Sequence, residues 1–288
     1  MEIQQLIYFA KIAELQNITK AARELYISQP ALSKSIRHLE EEMDVQLFCR
    51  QGKNIQLTSA GKVFYNKVSG ILHSLNSAQR EINDLANPSS LPVRLKLRAL
   101  SGLLPDIIAD FLQKHPDTSF SISSGGELSF SVSDYDLIIF SSAAKTESRS
   151  SIRLFQEEIC LFTSSDHLLA KKESCTFEEL KDQPFLFPSK SRFFYETLQD
   201  YFEKTGFVPS TLIECNDVNI IVDLIRKGCG ISLLPEYSLS TQALTGIQMI
   251  PIREPVMHRS VYIAWPDGAY IPKAAREFRS FLLHYFED

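Results

Sequence analysis

Four side chains able to hydrogen-bond or to carry positive charge recur within one short stretch of the sequence. Gln29, Ser33, Lys34 and Arg37 share one face if residues 29–43 form a helix, because successive residues turn by about 100°. Gln and Ser can hydrogen-bond the edges of bases, while Lys and Arg can meet phosphate oxygens. This spacing predicts nucleic-acid recognition. The alternative is an ordinary amphipathic surface helix.

The remaining sequence of this stretch supports a helix with an apolar opposite face. Ser28 has a hydroxyl that can accept from an amide of the first turn, so it is the predicted N-cap. Pro30 falls in that first turn, where its missing N–H costs little. The apolar positions are spaced four, three and four apart and are Leu32, Ile36, Leu39 and Met43.

A second short helix is predicted just before it. This helix spans residues 17–25 and has Thr19 as its predicted cap. The small side chains of Ala21 and Ala22 allow another helix to approach closely. Residues 26–28 then make a tight connection. Two helices joined by such a turn, the second with a polar outward face, form a helix-turn-helix.

A basic hairpin is predicted after these helices. Residues 45–48 and 55–57 alternate like short strands, and 51–54 form the turn between them. Arg50 and Lys53 lie near its tip, where they can follow phosphates or reach a minor groove. The alternative is a solvated hairpin without a partner.

The first sixty residues resemble the N-terminal region of LysR-type transcriptional regulators. The matching positions are Ala21-Ala22, Leu25, Ser28-Gln29-Pro30-Ala31-Leu32-Ser33, Leu39-Glu40, Leu47-Phe48, Arg50, Leu57-Thr58 and Ala60-Gly61. The resemblance implies a winged helix-turn-helix over residues 1–58, a double-stranded DNA operator as partner and a cytoplasmic location. The predicted DNA-binding residues are Thr19, Ser28, Gln29, Pro30, Ser33, Lys34, Arg37, Arg50 and Lys53.

Composition adds little to the case for DNA but excludes several classes. The net charge is −5, and residues 1–65 hold eight basic against seven acidic side chains, so the argument rests on where the cations lie. No apolar run reaches the length of a membrane helix. Five cysteines without a CxxC indicate reduced cytoplasmic thiols rather than a disulfide framework.

The sequence lacks the common catalytic and metal-binding motifs. There is no HxxxH or CxxC spacing, no GxSxG, no Walker loop and no GxGxxG after a strand. The sequence therefore predicts a protein that is not an enzyme and needs no cofactor or metal. The competing class is a ligand carrier or an enzyme on the same fold, which leaves the polar face around Gln29 unexplained.

Residues 59–87 read as one long helix capped by Thr58. Its apolar stripe cannot be hidden by a lone helix of this length, so it predicts pairing with a second copy. In the resembled family this linker helix is the dimerisation element, which implies a homodimer or homotetramer. The stripe consists of Val63, Phe64, Val68, Ile71, Leu72, Leu75, Ala78, Ile82 and Leu85.

From residue 91 onward, strand and helix patterns alternate, which predicts an α/β fold with largely parallel sheets. This half resembles the effector-binding domain of the same family, a two-subdomain architecture like that of periplasmic binding proteins. The resemblance implies one subdomain at 91–158 plus 264–288, another at 159–263, and a small-molecule effector between them. It also implies RNA polymerase as a further partner.

A small anion is the predicted effector. Ser101 precedes one predicted helix start and Ser189 to Arg192 precede another, and helix N-termini offer free amides and partial positive charge. The predicted effector-binding residues are Ser101, Ser124, Ser189, Lys190, Ser191 and Asn216. Two alternatives stay open: a redox-sensing domain using Cys160 and Cys175, or an effector domain that binds nothing.

Overall fold

The computed structural model describes residues 1–51, 54–87, 91–124, 135–142, 150–189, 193–268 and 270–287. The chain divides into two compact units, of which the first is built on Met1–Ala86 and the second lies within residues 87–288. The predicted binding residues Lys53, Lys190 and Ser191 lie outside the described residues.

The first unit consists of three helices, a hairpin and a long helix. In chain order these are α1 (Ile3–Leu15), α2 (Ile18–Glu24), α3 (Gln29–Met43), β1 (Phe48–Gln51), β2 (Asn54–Leu57) and α4 (Ser59–Ala86). The two strands pair antiparallel, with Arg50 opposite Ile55. Phe9 lies at the centre of the core, fully buried, with its ring 5.2 Å from that of Phe48 and 4.9 Å from that of Phe64.

The N-caps predicted for α3 and α4 are observed in this unit, whereas the one predicted for α2 is not. Ser28 accepts from the Ala31 amide at 3.4 Å, and Thr58 accepts from the Gly61 amide at 3.0 Å, so both predicted caps are confirmed. The prediction for Thr19 is wrong as a cap, because Asn17 accepts from the Lys20 amide at 2.9 Å instead. An Asn oxygen serves the same purpose two residues earlier.

The apolar stripe of α3 is shorter than predicted. Leu32, Ile36 and Leu39 are buried against the core, whereas Met43 is 37% exposed. Met43 is the last residue of the helix, so its side chain extends beyond the elements that α3 packs on.

The second unit alternates strands and helices as expected. Its strands are β3 (Val93–Leu97), β4 (Phe120–Ser124), β5 (Leu137–Ser142), β6 (Ser151–Ser164), β7 (Pro184–Pro188), β8 (Ser210–Cys215), β9 (Ser232–Pro235), β10 (Ile247–Ile250) and β11 (His258–Ala264). Its helices are α5 (Leu104–Lys114), α6 (Phe177–Leu180), α7 (Phe193–Thr205), α8 (Val218–Arg226) and α9 (Lys273–Tyr285).

The sheets of this unit are mixed, so the prediction of largely parallel sheets is wrong. Strand β3 pairs parallel with β4 and β5, and β7 pairs parallel with β8. Four other pairings, β10–β6, β11–β5, β11–β6 and β6–β9, are antiparallel. The reason is that β6 is 14 residues long and serves as the template for three antiparallel neighbours.

Two hydrophobic cores lie in the second unit, and strands β6 and β11 run from one to the other. On β6, Leu154 belongs to the core built on β3, β5, α5 and α9, while Ile159 belongs to the core built on β7, β9 and α8. On β11, Met257 lies just before the strand in the second of these cores and Val261 in the first. Residues 157 and 259 are therefore at the crossing.

Candidate nucleic-acid interface and effector region

The predicted reading face of α3 is on the surface of the first unit. Gln29 and Pro30 are exposed at the start of the helix, and Ser33 is half-buried one turn later. The Gln29 side-chain amide donates to Ser33 Oγ at 2.9 Å, which joins these two residues on one patch. This patch offers amide and hydroxyl groups of the kind that hydrogen-bond bases.

Two cations flank this patch. Lys34 and Arg37 are exposed, and neither forms an ion pair with any of the described residues. The carboxylate nearest along the helix is already used, because Glu40 accepts from the Leu47 and Phe48 amides at 2.7 and 3.1 Å. The cations are therefore available for an external anion, and phosphate is the anion that accompanies bases.

The hairpin extends from this core as a wing. Arg50 lies in strand β1, opposite Ile55 and near the end of the hairpin, since β1 spans Phe48–Gln51 and not residues 45–48 as predicted. Glu40 explains this shift, because its carboxylate holds the Leu47 and Phe48 amides where pairing begins. Thr19 is exposed near the start of α2.

Helix α4 carries apolar side chains of two kinds. Val68 is buried, and Phe64 and Leu72 pack partly against the core of the first unit. The exposed set is spaced eight, four, seven and three residues apart along the helix and consists of Val63, Ile71, Leu75, Ile82 and Leu85, each at least 49% exposed. An apolar face of this size on a surface helix indicates a protein interface.

The predicted effector residues fall into two pairs at strand ends. Leu97 is opposite Ser124 where β3 and β4 end, and Ser101 is exposed in the turn that follows. Pro188 is opposite Cys215 where β7 and β8 end, and the next residues, Ser189 and Asn216, therefore lie side by side. The Ser189 amide donates to the Cys215 carbonyl at 3.0 Å. Ser101 does not cap α5, since the N-cap is Leu103.

The turn that carries Ser101 is packed tightly. A Cβ placed on Gly102 would lie 2.7–2.8 Å from backbone atoms of Leu239, so this position has no room for a side chain. Leu100 beside it has φ of +70° and is buried. The turn therefore contacts the segment after β9 through its backbone.

A cavity of about 490 Å³ lies elsewhere, beside the crossing of β6 and β11. It is lined by Gln156, Glu157, Glu158, Glu236 and His258, so its charge is opposite to that expected for an anion site. Burial, followed by repulsion from Glu158 and Glu157, raises the pKa of Glu236. None of the predicted effector residues that the structure describes lines this cavity.

The sequence analysis missed an ion pair buried at this crossing. Arg259 Nε and Nη2 both lie 2.7 Å from Glu157 Oε1, and the Tyr237 amide donates to Glu157 Oε2 at 2.9 Å. Arg259 Nη1 lies 3.3 Å from Ser141 Oγ, and the guanidinium stacks over the Phe194 ring at 5.2 Å. Burial lowers the pKa of Arg259, and Glu157 opposes that shift. Only the pairing of β6 with β11 brings these charges together, 102 residues apart.

The two cysteines weighed as a redox pair are poorly suited to that role. Cys160 and Cys175 are both buried, and burial is the main factor that raises the pKa of each thiol to about 12. The thiolate is the reactive form, so neither thiol is activated at neutral pH. Among the described residues, no group of His, Cys, Asp and Glu side chains is arranged to hold a metal ion.

The comparisons with known proteins cover both halves of the chain. Residues 3–62 match the family described as "Bacterial regulatory helix-turn-helix protein, lysR family", and residues 94–287 match the "LysR substrate binding domain". The chain is 32% identical over its whole length, and over the whole of the relative, to "Uncharacterized HTH-type transcriptional regulator YybE" of Bacillus subtilis.

Two solved structures share the fold. The first is full-length CbnR complexed with its target DNA, with a TM-score of 0.61, 20% identity and 99% coverage of both chains. The second is the effector binding domain of QuiR in complex with shikimate, with a TM-score of 0.56, 22% identity, and coverage of 68% of this chain and 97% of that one. No helix in the described part of the chain is long and apolar enough to cross a lipid bilayer.

Proposed function

Because the chain belongs to the LysR family of transcriptional regulators, with a DNA-binding helix-turn-helix and an effector-binding domain, we propose that α3 reads its operator through Gln29, Pro30 and Ser33. The observation that carries this proposal is the hydrogen-bonded pair of Gln29 and Ser33 at the surface, with the cations of Lys34 and Arg37 on the same helix and without an ion pair among the described residues. Arg50 and Lys53 of the wing, with Thr19 and Ser28 at the helix starts, contact the sugar-phosphate backbone. The family is one of regulators and not of enzymes.

Replacing Gln29 with alanine tests the reading role. We expect Gln29→Ala to lose about 1–3 kcal/mol of binding free energy on the cognate operator and little on random DNA, because a base contact discriminates between sequences. Fluorescence anisotropy on both DNAs measures the two affinities. Lys34→Ala is the matched control on the same helix: it should weaken both complexes alike and reduce the salt slope by about one. Equal losses on both DNAs for Gln29→Ala would remove it as a reader.

We also propose that a second copy of the chain covers the exposed stripe of α4. Five apolar side chains, from Val63 to Leu85, are left uncovered within the first unit, and each would gain by leaving water. The fixed spacing of two half-sites also requires two reading helices held together, so the regulator acts as a homodimer or a tetramer built from it.

One position in the apolar stripe of α4 is unsuitable for testing this interface. Leu72 packs partly on the core of its own unit, so a charge there would damage the fold as well as the interface. Ile82, which is 66% exposed, is the better probe. We expect Ile82→Glu to dissociate the dimer and to weaken operator binding more than tenfold, whereas Asn83→Glu, on the neighbouring exposed position, should do neither. Sedimentation velocity measures the first effect. A dimeric Ile82→Glu variant would contradict the proposal.

For the effector, we propose a small anion held at the ends of β3, β4, β7 and β8. What supports it is that Ser189 and Asn216 follow the paired ends of β7 and β8, and that Ser124 is paired with Leu97 just before the turn that carries Ser101, with Lys190 and Ser191 next to Ser189 in sequence. The two hydrophobic cores on either side of the crossing of β6 and β11 support the proposed subdomains, 91–158 plus 264–288 and 159–263. RNA polymerase is the proposed further partner, and the cytoplasm, where the DNA is, is the proposed location.

A thermal-shift panel of carboxylates, neutral metabolites and amines tests the effector class. An acid at about a hundred times its dissociation constant stabilises the fold by about 2.7 kcal/mol, which is a visible melting shift. We expect the shift from acids alone, and a smaller one in Ser101→Ala and in Lys190→Ala. A sole hit from an amine or a neutral compound would overturn the anion assignment.

A further inference from the structure

Tyr26 lies in the connection between α2 and α3 in an unusual conformation. Its φ is +56°, in the left-handed region, and its amide donates to the Arg23 carbonyl at 3.2 Å while the next amide, of Ile27, donates to Ala22 at 3.0 Å. These bonds close the C-terminus of α2. Glycine or asparagine is the usual residue at such a position, because a bulky side chain is disfavoured at positive φ.

Within the described part of the chain, no side-chain contact of Tyr26 offsets the strain of its backbone. Its side chain is 95% exposed and makes no ring contact or side-chain hydrogen bond with the described residues. Leu100 provides the contrast, because it also has a positive φ but is only 1% exposed, so packing offsets its strain. A residue with a strained backbone and no side-chain contacts within the protein indicates a contact with a binding partner.

The position of Tyr26 indicates which partner that is. Ser28, two residues on, caps the reading helix, and Gln29 follows, so the Cα atoms of Tyr26 and Gln29 are at most about 11 Å apart. The nearest carboxylate in sequence, Glu24, is held by Lys11 at 3.4 Å. Arg23, three residues before Tyr26, is exposed and cationic.

We propose that the Tyr26 hydroxyl donates a hydrogen bond to a DNA phosphate beside the bases that α3 reads. Tyrosine is one of the side chains that contact phosphate oxygens in protein–DNA complexes, and such a contact fixes register without reading sequence. The proposal rests on the proposed function, in which the N-terminal turn of α3 meets the operator.

Two substitutions test this contact. We expect Tyr26→Phe to keep the melting temperature and to weaken binding about tenfold on both cognate and random DNA, because a hydrogen bond to a charged group is lost. The salt slope should stay unchanged, because the hydroxyl displaces no counterion. Tyr26→Gly should raise the melting temperature by relieving the strain, and should weaken binding at least as much as Tyr26→Phe.

Comparing the Tyr26 variants with Gln29→Ala distinguishes a failure of the phosphate contact from a failure of the proposed function. Gln29→Ala, measured alongside, should lose affinity on cognate DNA alone, and if it did not, the reading role of α3 would fail whatever Tyr26 does. Wild-type affinity in Tyr26→Phe would overturn the phosphate contact. A loss confined to cognate DNA would also overturn it, since that result assigns Tyr26 to a base.

Discussion

Replacing Arg259 with methionine should lower the free energy of unfolding of the second unit by about 3–5 kcal/mol. The substitution leaves Glu157, which is 3% exposed, as a buried carboxylate whose remaining partner in the described contacts is the Tyr237 amide at 2.9 Å. Two charges taken from water are stable together because each neutralises the other, and one alone keeps the desolvation cost without that gain.

The measurement is denaturant unfolding of the full chain followed by fluorescence of Trp265. This residue is the single tryptophan of the sequence, and it lies at the end of β11 with Arg279 stacked on it at 4.3 Å, so it reports on the second unit. The surface pair of Arg226 and Asp223 is the control. Asp223→Asn should cost at most about 1 kcal/mol, because exposed ion pairs contribute little.

A double variant distinguishes the effect of an unpaired buried charge from the effect of a changed side-chain shape. Arg259→Met with Glu157→Leu removes both charges and keeps apolar volume, so it should regain most of the stability lost by Arg259→Met alone. A loss of less than about 1 kcal/mol in the single variant would mean that the pair does not hold β6 and β11 together at the crossing.

Replacing Gly61 with alanine should destabilise the first unit by about 3 kcal/mol or more, although alanine is the better helix former. A Cβ at this position would lie 2.0 Å from the Leu47 carbonyl oxygen, which is backbone and cannot rotate away. That carbonyl also accepts from the Thr58 amide at 2.9 Å, at the point where the hairpin and α4 meet. The clash therefore displaces both the wing and the start of the long helix.

Gly70 offers the matched control in the same helix. Nothing lies within 4 Å of a Cβ built there, so Gly70→Ala should stabilise the protein by about 0.5–1 kcal/mol through helix propensity alone. Melting curves of the two variants should therefore shift in opposite directions. A Gly61→Ala variant as stable as Gly70→Ala would contradict the close approach of α4 to Leu47.

The sequence was most informative about features that depend on interactions between residues close together in the chain. The N-cap of α3 depends on Ser28 and an amide three residues away, and the bounds of α4 depend on Thr58 and a break after Ala86, so both follow from neighbours in the chain. The polar face with Gln29 and Ser33 follows in the same way from helical spacing. The prediction that Thr19 caps α2 was wrong although capping is a local interaction. Asn17 and Thr19 are both capable caps, and the sequence alone does not rank them.

Tertiary structure decided every feature that depends on elements distant in sequence. Glu157 and Arg259 lie 102 residues apart in the sequence, and the antiparallel pairing of β6 with β11 buries them together at 2.7 Å. At Gly61 the Leu47 carbonyl leaves no room for a Cβ, whatever the helix propensity of the residue. The reason is the same in both cases: desolvation and steric exclusion are set by which atoms surround a residue. Periodicity fixes which face a residue occupies, but only the packed chain fixes what lies opposite that face.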